Sequence, residues 1–178
     1  MKVIFLDIDG VLNTSDTYNE SFYKSYRTPN YKIEIDEFRL VYLKEIIDKT
    51  NAKIVLSSSF RRFFEKEKGV IVPRTLKGKK VYDLFYKYGI SIYDITPMNY
   101  NKREDQVKEW LSTRDNIESF IIIDDEPSMF FDYYDKLIQT SKVRRSQILM
   151  NMDDCTGLCE KHIRLAVDML NAKVKTIK

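Results

Sequence analysis

Met1-Lys2-Val3-Ile4-Phe5-Leu6-Asp7-Ile8-Asp9-Gly10-Val11-Leu12 opens the chain, and its reading decides the fold. Residues 3–6 are uniformly apolar, without the polar alternation of a half-exposed strand. Such a run suits a parallel strand covered on both faces. It stops at two aspartates one residue apart, followed at once by glycine. Residues 53–56, 120–123 and 147–150 have the same apolar character, and residues 90–95 alternate more, as an edge strand would. Helical patterns fill the gaps. Asp36 can cap a helix to about residue 49, with Leu40, Leu43 and Ile47 on one stripe. Leu84, Phe85 and Tyr88 mark a helix over 81–88, and Val107, Trp110 and Leu111 mark one over 103–112. Residues 128–138 read as another. Leu158, Ile163, Ala166 and Leu170 mark a last helix over 156–171. Strands alternating with helices predict an α/β domain. It is doubly wound and three-layered, Rossmann-like, with a mostly parallel five-stranded sheet.

The 178 residues fit one domain, expected to span 1–178, and suffice to bury a core without staples. Thirty basic and 27 acidic side chains leave a net charge of +3, a near balance that by itself does not mark a nucleic-acid binder. The two cysteines, Cys155 and Cys159, make no disulfide framework. The apolar start is too short for a signal peptide, and no run is long enough to span a membrane. A cytoplasmic protein without membrane association is expected. A zinc site from Cys155, Cys159 and His162 would draw every ligand from one helix, so the trio reads as helix packing.

Two polar stretches, 13–35 and 61–80, directly follow strands. In an open α/β sheet the ligand sits outside the carboxyl ends of the strands, so both are candidate rim or lid insertions and leave only a minimal cap. The chemistry-bearing residues cluster at the same places. Asp7, Asp9 and Gly10 end the first strand; Ser57, Ser58 and Ser59 end the second. Lys102 and Arg103 open a helix, and Asp124, Asp125 and Glu126 end a later strand. Taken alone, acids and glycine after a strand are ordinary turn residues. Acids, hydroxyls, a cation and more acids at successive strand ends are far more specific.

In this order the residues resemble the haloacid dehalogenase superfamily of phosphatases. Phe5-Leu6-Asp7-Ile8-Asp9-Gly10-Val11-Leu12 is similar to its first motif and Ile54-Val55-Leu56-Ser57 to its second. Lys102 or Arg103 matches the basic third motif, and Ile121-Ile122-Ile123-Asp124-Asp125 the acidic fourth. The resemblance implies a Mg²⁺-dependent phosphatase, with Asp7 as nucleophile and Asp9 as acid and base. It also implies a metal held by Asp7, Asp124, Asp125 and the backbone carbonyl of Asp9. Ser57 or Ser58, amides near Gly10, Arg61, and Lys102 or Arg103 would hold the phosphate. A two-component receiver domain also uses an aspartate pair and a lysine. It lacks the D-x-D-G spacing, and its acceptor lies where this chain has Ser57.

A finer resemblance concerns Leu56-Ser57-Ser58-Ser59-Phe60-Arg61, Trp110-Leu111, Ile123-Asp124-Asp125-Glu126 and Thr156-Gly157-Leu158. These look like the phosphatase domains found with RNA-repair enzymes, similar to the phosphatase half of polynucleotide kinase-phosphatases. The chain differs in having no P-loop and no kinase or ligase partner domain. The implied substrate is a nucleic-acid 3′-phosphate end or a nucleotide. The alternatives are a small-metabolite phosphatase and a catalytically silent binding or regulatory protein. Arg61-Arg62-Phe63-Phe64-Glu65-Lys66 mixes cations with aromatics and could stack bases, although a half-buried helix with a solvated face is the simpler reading. Lys142-Val143-Arg144-Arg145 reads as a solvated loop.

Overall fold

The computed structural model describes residues 1–14, 35–98, 102–140 and 156–172. Its centre is a five-stranded, all-parallel sheet. The strands are β1 (Lys2–Leu6), β2 (Lys53–Leu56), β5 (Ile92–Ile95), β6 (Ser119–Asp124) and β7 (Leu137–Gln139), in the order β5-β2-β1-β6-β7. The α/β, Rossmann-like expectation holds, and the alternating strand at residues 90–95 is an edge.

Both sheet faces are covered, which explains the unbroken apolar runs. Ile4, Leu6, Ile54, Leu56, Ile121 and Ile123 line one face. Against them pack α1 (Glu37–Thr50) through Leu40, Leu43 and Ile46, and α2 (Leu76–Lys87) through Val81 and Phe85. The last helix, α4 (Glu160–Asn171), adds Ile163, Ala166 and Leu170 to this layer. Val3, Phe5, Val55 and Ile122 line the opposite face, where Val107 and Trp110 of α3 (Arg103–Ser112) close the core. Phe5 meets Trp110 edge-on at 5.2 Å, the favoured arrangement for two ring quadrupoles.

Strands β1, β2 and β5 are laid down in one direction across the sheet. The chain then crosses back through α3 to place β6 on the other side of β1. The order therefore reverses at β1, and a crevice opens at the carboxyl ends on either side of it.

Several expectations change. Residues 128–138 are not a helix: two single 3₁₀ turns, Pro127–Met129 and Tyr134–Lys136, lead into β7. Phe130, fully buried, is drawn into the α3-side core, and Leu137–Gln139 meets the free edge of β6. Pairing an otherwise open strand edge outweighs a weak helical pattern. Residues 61–66 are not a helix either. A 3₁₀ turn, Ser59–Phe63, leads into an antiparallel hairpin of β3 (Phe64–Glu67) and β4 (Val70–Pro73). Its two-residue turn, Lys68-Gly69, has φ +47° and +86°, the positive values that a tight hairpin requires. The predicted helix over 81–88 starts earlier, at Leu76, where the Thr75 hydroxyl accepts the Gly78 N–H at 3.0 Å. The predicted helix over 156–171 starts later, at Glu160. Asp36 occupies the cap position of α1, but its side chain makes no cap bond there and receives Arg39 Nε at 2.8 Å. The predicted strand at 147–150, residues 142–145 and Cys155 lie outside the described residues, as does nearly all of 13–35.

Burial predicts a contrast along the helices. Leu43 is fully buried and Leu165 is 47% exposed. Leu43→Ala should cost about 2–5 kcal/mol in urea unfolding, whereas Leu165→Ala should stay within about 0.5 kcal/mol. Equal losses at the two positions would contradict this core.

Candidate active site

Register alone brings the key residues together. Leu6 aligns with Leu56 on one side and with Ile123 on the other. The next residues, Asp7, Ser57 and Asp124, therefore stand side by side at the ends of three neighbouring strands. The ladder continues through them: the Asp7 N–H donates to the Ile123 carbonyl and the Ser57 N–H to the Leu6 carbonyl, each at 3.0 Å. Neighbouring strands lie about 4.8 Å apart, so side chains in register are within reach of one ion or one phosphate.

The pleat decides the face. Alternate residues share a side of a strand, so Asp7 follows Val3 and Phe5, Ser57 follows Val55, and Asp124 follows Ile122. All three continue the face that α3 covers. On α3, Arg103 lies four residues before Val107 and seven before Trp110, so it extends the buried stripe toward the strand ends. Its Nη1 donates to both Asp7 Oδ2 and Asp124 Oδ2. Lys102, by contrast, takes the N-cap position and is exposed.

The acids are crowded. Asp7, Asp124 and Asp125 each offer a carboxylate oxygen, and these atoms lie within 4.8 Å of one another. Asp7 and Asp124 are buried. Asp7 Oδ1 accepts the Ile8 N–H at 2.7 Å, and Asp124 Oδ1 accepts the Glu126 N–H at 2.9 Å. Burial and the neighbouring Asp7 push Asp124 up to about 7, although Arg103 pulls the other way. Asp125 is raised for the same two reasons. Burial works against the charge on Arg103, yet Asp7 and Asp124 together hold its pKa above the ordinary value.

Gly10 is shaped to this cluster. It has φ +76°, and a Cβ there would lie 2.2 Å from Asp125 Cγ, so only glycine lets Asp125 approach. Its N–H donates to Asn13 Oδ1 at 3.1 Å, so this amide is engaged within the loop and is not presented to a phosphate. Asn13 Nδ2 in turn donates to Asp9 Oδ1 at 3.0 Å. The Asp9 side chain therefore stands at the half-buried rim, apart from the three-carboxylate group. Thr140 Oγ1 donates to the Gly10 carbonyl at 2.9 Å. Asn13 and Thr140 were missed in the sequence. Asn13 lies four residues beyond Asp9, a spacing that could have flagged it. Thr140 is 130 residues from Gly10 and carried no local signal.

The three serines divide sharply. The Ser57 hydroxyl is buried with no hydrogen-bond partner among the described residues. Ser58 Oγ accepts the Phe60 N–H at 3.2 Å and caps the 3₁₀ turn. Arg61 is buried, and its Nη1 donates to the Ser57 and Ser58 carbonyls at 3.0 and 2.9 Å. Burial and then Arg103 lower its pKa while Asp7 raises it, so it lies within electrostatic reach of the cluster. His162 Nδ1 accepts the Cys159 N–H at 3.1 Å, and Cys159 is disulfide-bonded.

A parallel Rossmann-like sheet with this acid group at its reversal point is the architecture of haloacid dehalogenase-type hydrolases. Residues 3–147 match the family described as the HAD domain in Swiss Army Knife RNA repair proteins, and the chain belongs to that family. The family points to a hydrolase of phosphatase type and typically uses a divalent metal. No curated protein and no solved structure matches the chain. Among the described residues, no helix is long and apolar enough to cross a membrane.

The acid cluster predicts a pH signature without metal. An acid with a higher pKa folded than unfolded keeps a proton that the unfolded chain has lost. Its contribution is fullest at low pH and declines as pH rises from the ordinary 3.8 to about 7. His162, pushed down to about 4 chiefly by burial, acts with the opposite sign over an overlapping range, so a difference must be read. In EDTA, wild-type urea midpoints should fall relative to those of Asp124→Asn between about pH 4 and 7. Parallel curves would mean that Asp124 titrates like a free aspartate.

Proposed function

We propose that this chain is a Mg²⁺-dependent phosphomonoesterase acting through an aspartyl-phosphate on Asp7, with phosphorylated nucleic-acid ends or nucleotides as substrates. The observation that carries the reading is the shared register of Ser57, Asp7 and Asp124 beneath Arg103. Family membership supports the hydrolase class, and the family's link to RNA repair proteins supports the substrate class.

The residues fit a hard cation. Three carboxylates converge within 4.8 Å, and Arg103 provides one positive charge against them. Oxygen donors of this kind suit Mg²⁺. Asp7, Asp124 and Asp125, with the Asp9 carbonyl, would hold it. When bound, the ion would offset the negative charge that repels a nucleophile from a phosphate ester.

The chain's own groups then divide the work. An Asp7 oxygen attacks phosphorus, and the bond from phosphorus to the leaving oxygen breaks. Asp9, anchored by Asn13 outside the acid cluster, gives that oxygen its proton. It then takes a proton from the water that cleaves the aspartyl-phosphate, which frees phosphate and restores Asp7. Arg103 and the Ser57 hydroxyl would hold the equatorial oxygens as charge shifts between them. Arg61 adds positive potential on the Ser57 side, and Lys102 contributes at longer range from its exposed position.

Turnover of a 3′-phosphorylated oligonucleotide, nucleoside monophosphates, sugar phosphates and an aryl phosphate, with Mg²⁺ or EDTA, tests this. Hydrolysis should require Mg²⁺, and Asp7→Asn should fall to the no-enzyme rate. Asp9→Asn should lose about 10²–10⁴-fold in kcat. Full activity of Asp7→Asn would reject the nucleophile, and preferred turnover of sugar phosphates would reject the substrate class. Asn13→Ala should lower kcat roughly tenfold or more by freeing Asp9, with KM little changed. An unchanged kcat would show that Asp9 needs no anchor.

A further inference from the structure

Residues 61–80 carry eight basic side chains and two acidic ones. That is a net +6 within a chain whose total is +3, so the remaining residues sum to −3. This segment thus carries a local excess of positive charge, and it begins at the site. Arg61 holds the Ser57 and Ser58 carbonyls, and the next residues run outward through the 3₁₀ turn into the hairpin.

At the hairpin base, Phe60 and Phe63 meet edge-on at 5.5 Å. Arg62 sits over the Phe63 ring at 5.1 Å, and Lys77 lies 4.7 Å from Phe60 and 4.9 Å from Phe63. The Arg74 N–H donates to the Phe63 carbonyl at 2.9 Å, which brings the far strand's end back to the same aromatic pair. Arg62, Lys68 and Arg74 are exposed. Lys66 is tied to Asp94 at 3.1 Å, which fastens the hairpin to the β5 end of the sheet. Cations on and beside the hairpin, two of them over aromatic rings at its base, match a single-stranded nucleic acid better than a compact metabolite. Such a strand offers phosphates at regular intervals and bases that can stack.

We infer that the β3–β4 hairpin and the first turn of α2 form a guide for single-stranded nucleic acid, along which the strand runs while its terminal phosphate enters the site. This rests on the proposed function and sharpens it. The preferred substrate is a polymer end, and the guide would select it over a mononucleotide.

The test uses the full chain carrying Asp7→Asn and a fluorescent 3′-phosphorylated single-stranded 12-mer, with binding read by anisotropy across salt concentrations. Arg62→Gln/Lys68→Asn/Arg74→Gln should weaken binding at least tenfold at low salt. It should also reduce the salt slope by about two, since each single-strand phosphate contact contributes about 0.7. The same charge loss at the amino end of the sheet, Lys2→Gln/Lys49→Gln/Lys53→Gln, should weaken binding less than about threefold, the effect of net charge alone. Equal weakening by the two triple variants would overturn the guide, as would no weakening by the first. A phosphopeptide of equal charge that binds as tightly, with the same dependence on the hairpin, would also overturn it. With Asp7 restored, the first variant should lower the ratio of oligonucleotide to aryl-phosphate kcat/KM about tenfold. An oligonucleotide bound through the hairpin but never hydrolysed would leave the guide standing and reject the site reading.

Discussion

Two buried carboxylates on adjacent strands share one guanidinium, and much of the site follows from that arrangement. Asp7 and Asp124 would repel each other strongly at this separation in a poorly solvated crevice. Arg103 offsets part of the repulsion by donating to both from a single nitrogen. Asp125 adds a third acid, with no cation paired to it among the described residues. The crevice therefore keeps an excess of negative charge, and burial together with the neighbouring Asp7 raises the pKa of Asp124. A divalent ion would relieve that excess, and so would protons, which links stability without metal to pH.

Arg103 can play this part because of where the strand order reverses. The crossing helix α3 must cover the face carrying Val3, Phe5, Val55 and Ile122, and its apolar stripe is anchored there by Val107 and Trp110. Periodicity then brings Arg103 over the strand ends. The same packing that buries Trp110 thus aims a cation at Asp7. Trp110 is itself held by Asp94, which accepts its indole N–H at 3.0 Å, and Arg114 lies over its ring at 3.7 Å. The orientation of the site's cation is therefore tied to a polar and aromatic anchor two turns away.

The rim is built by a different logic. Ser58 caps a short turn, Arg61 holds the carbonyls on either side of it, and the chain leaves as a hairpin instead of continuing into a helix. This leaves Ser57 as the strand-end hydroxyl with a buried oxygen that has no partner among the described residues. Across the crevice, Asn13 pins Asp9 while Thr140, arriving from the far edge strand, steadies Gly10. The loop that carries the two leading aspartates is thus fixed from both sides.

The apolar runs and the acids that end them were enough to determine a parallel α/β sheet and to mark Asp7, Asp9 and Asp124 as acids at or just beyond strand ends. Those signals are local, because a strand buried on both faces must be apolar and the residue after it must face the rim. Which serine keeps a buried hydroxyl beside Asp7, and which cation reaches Asp7 and Asp124, was not local. It depends on which side of a pleat or helix meets the crevice, and three consecutive serines or two consecutive cations carry no such mark. The edge strand β7 was missed for a related reason. Leu137–Gln139 is short and only partly apolar, and what makes it a strand is the open edge of β6 beside it. Hydrogen bonds between distant segments, such as Thr140 to Gly10, exist only once the sheet has brought its ends together.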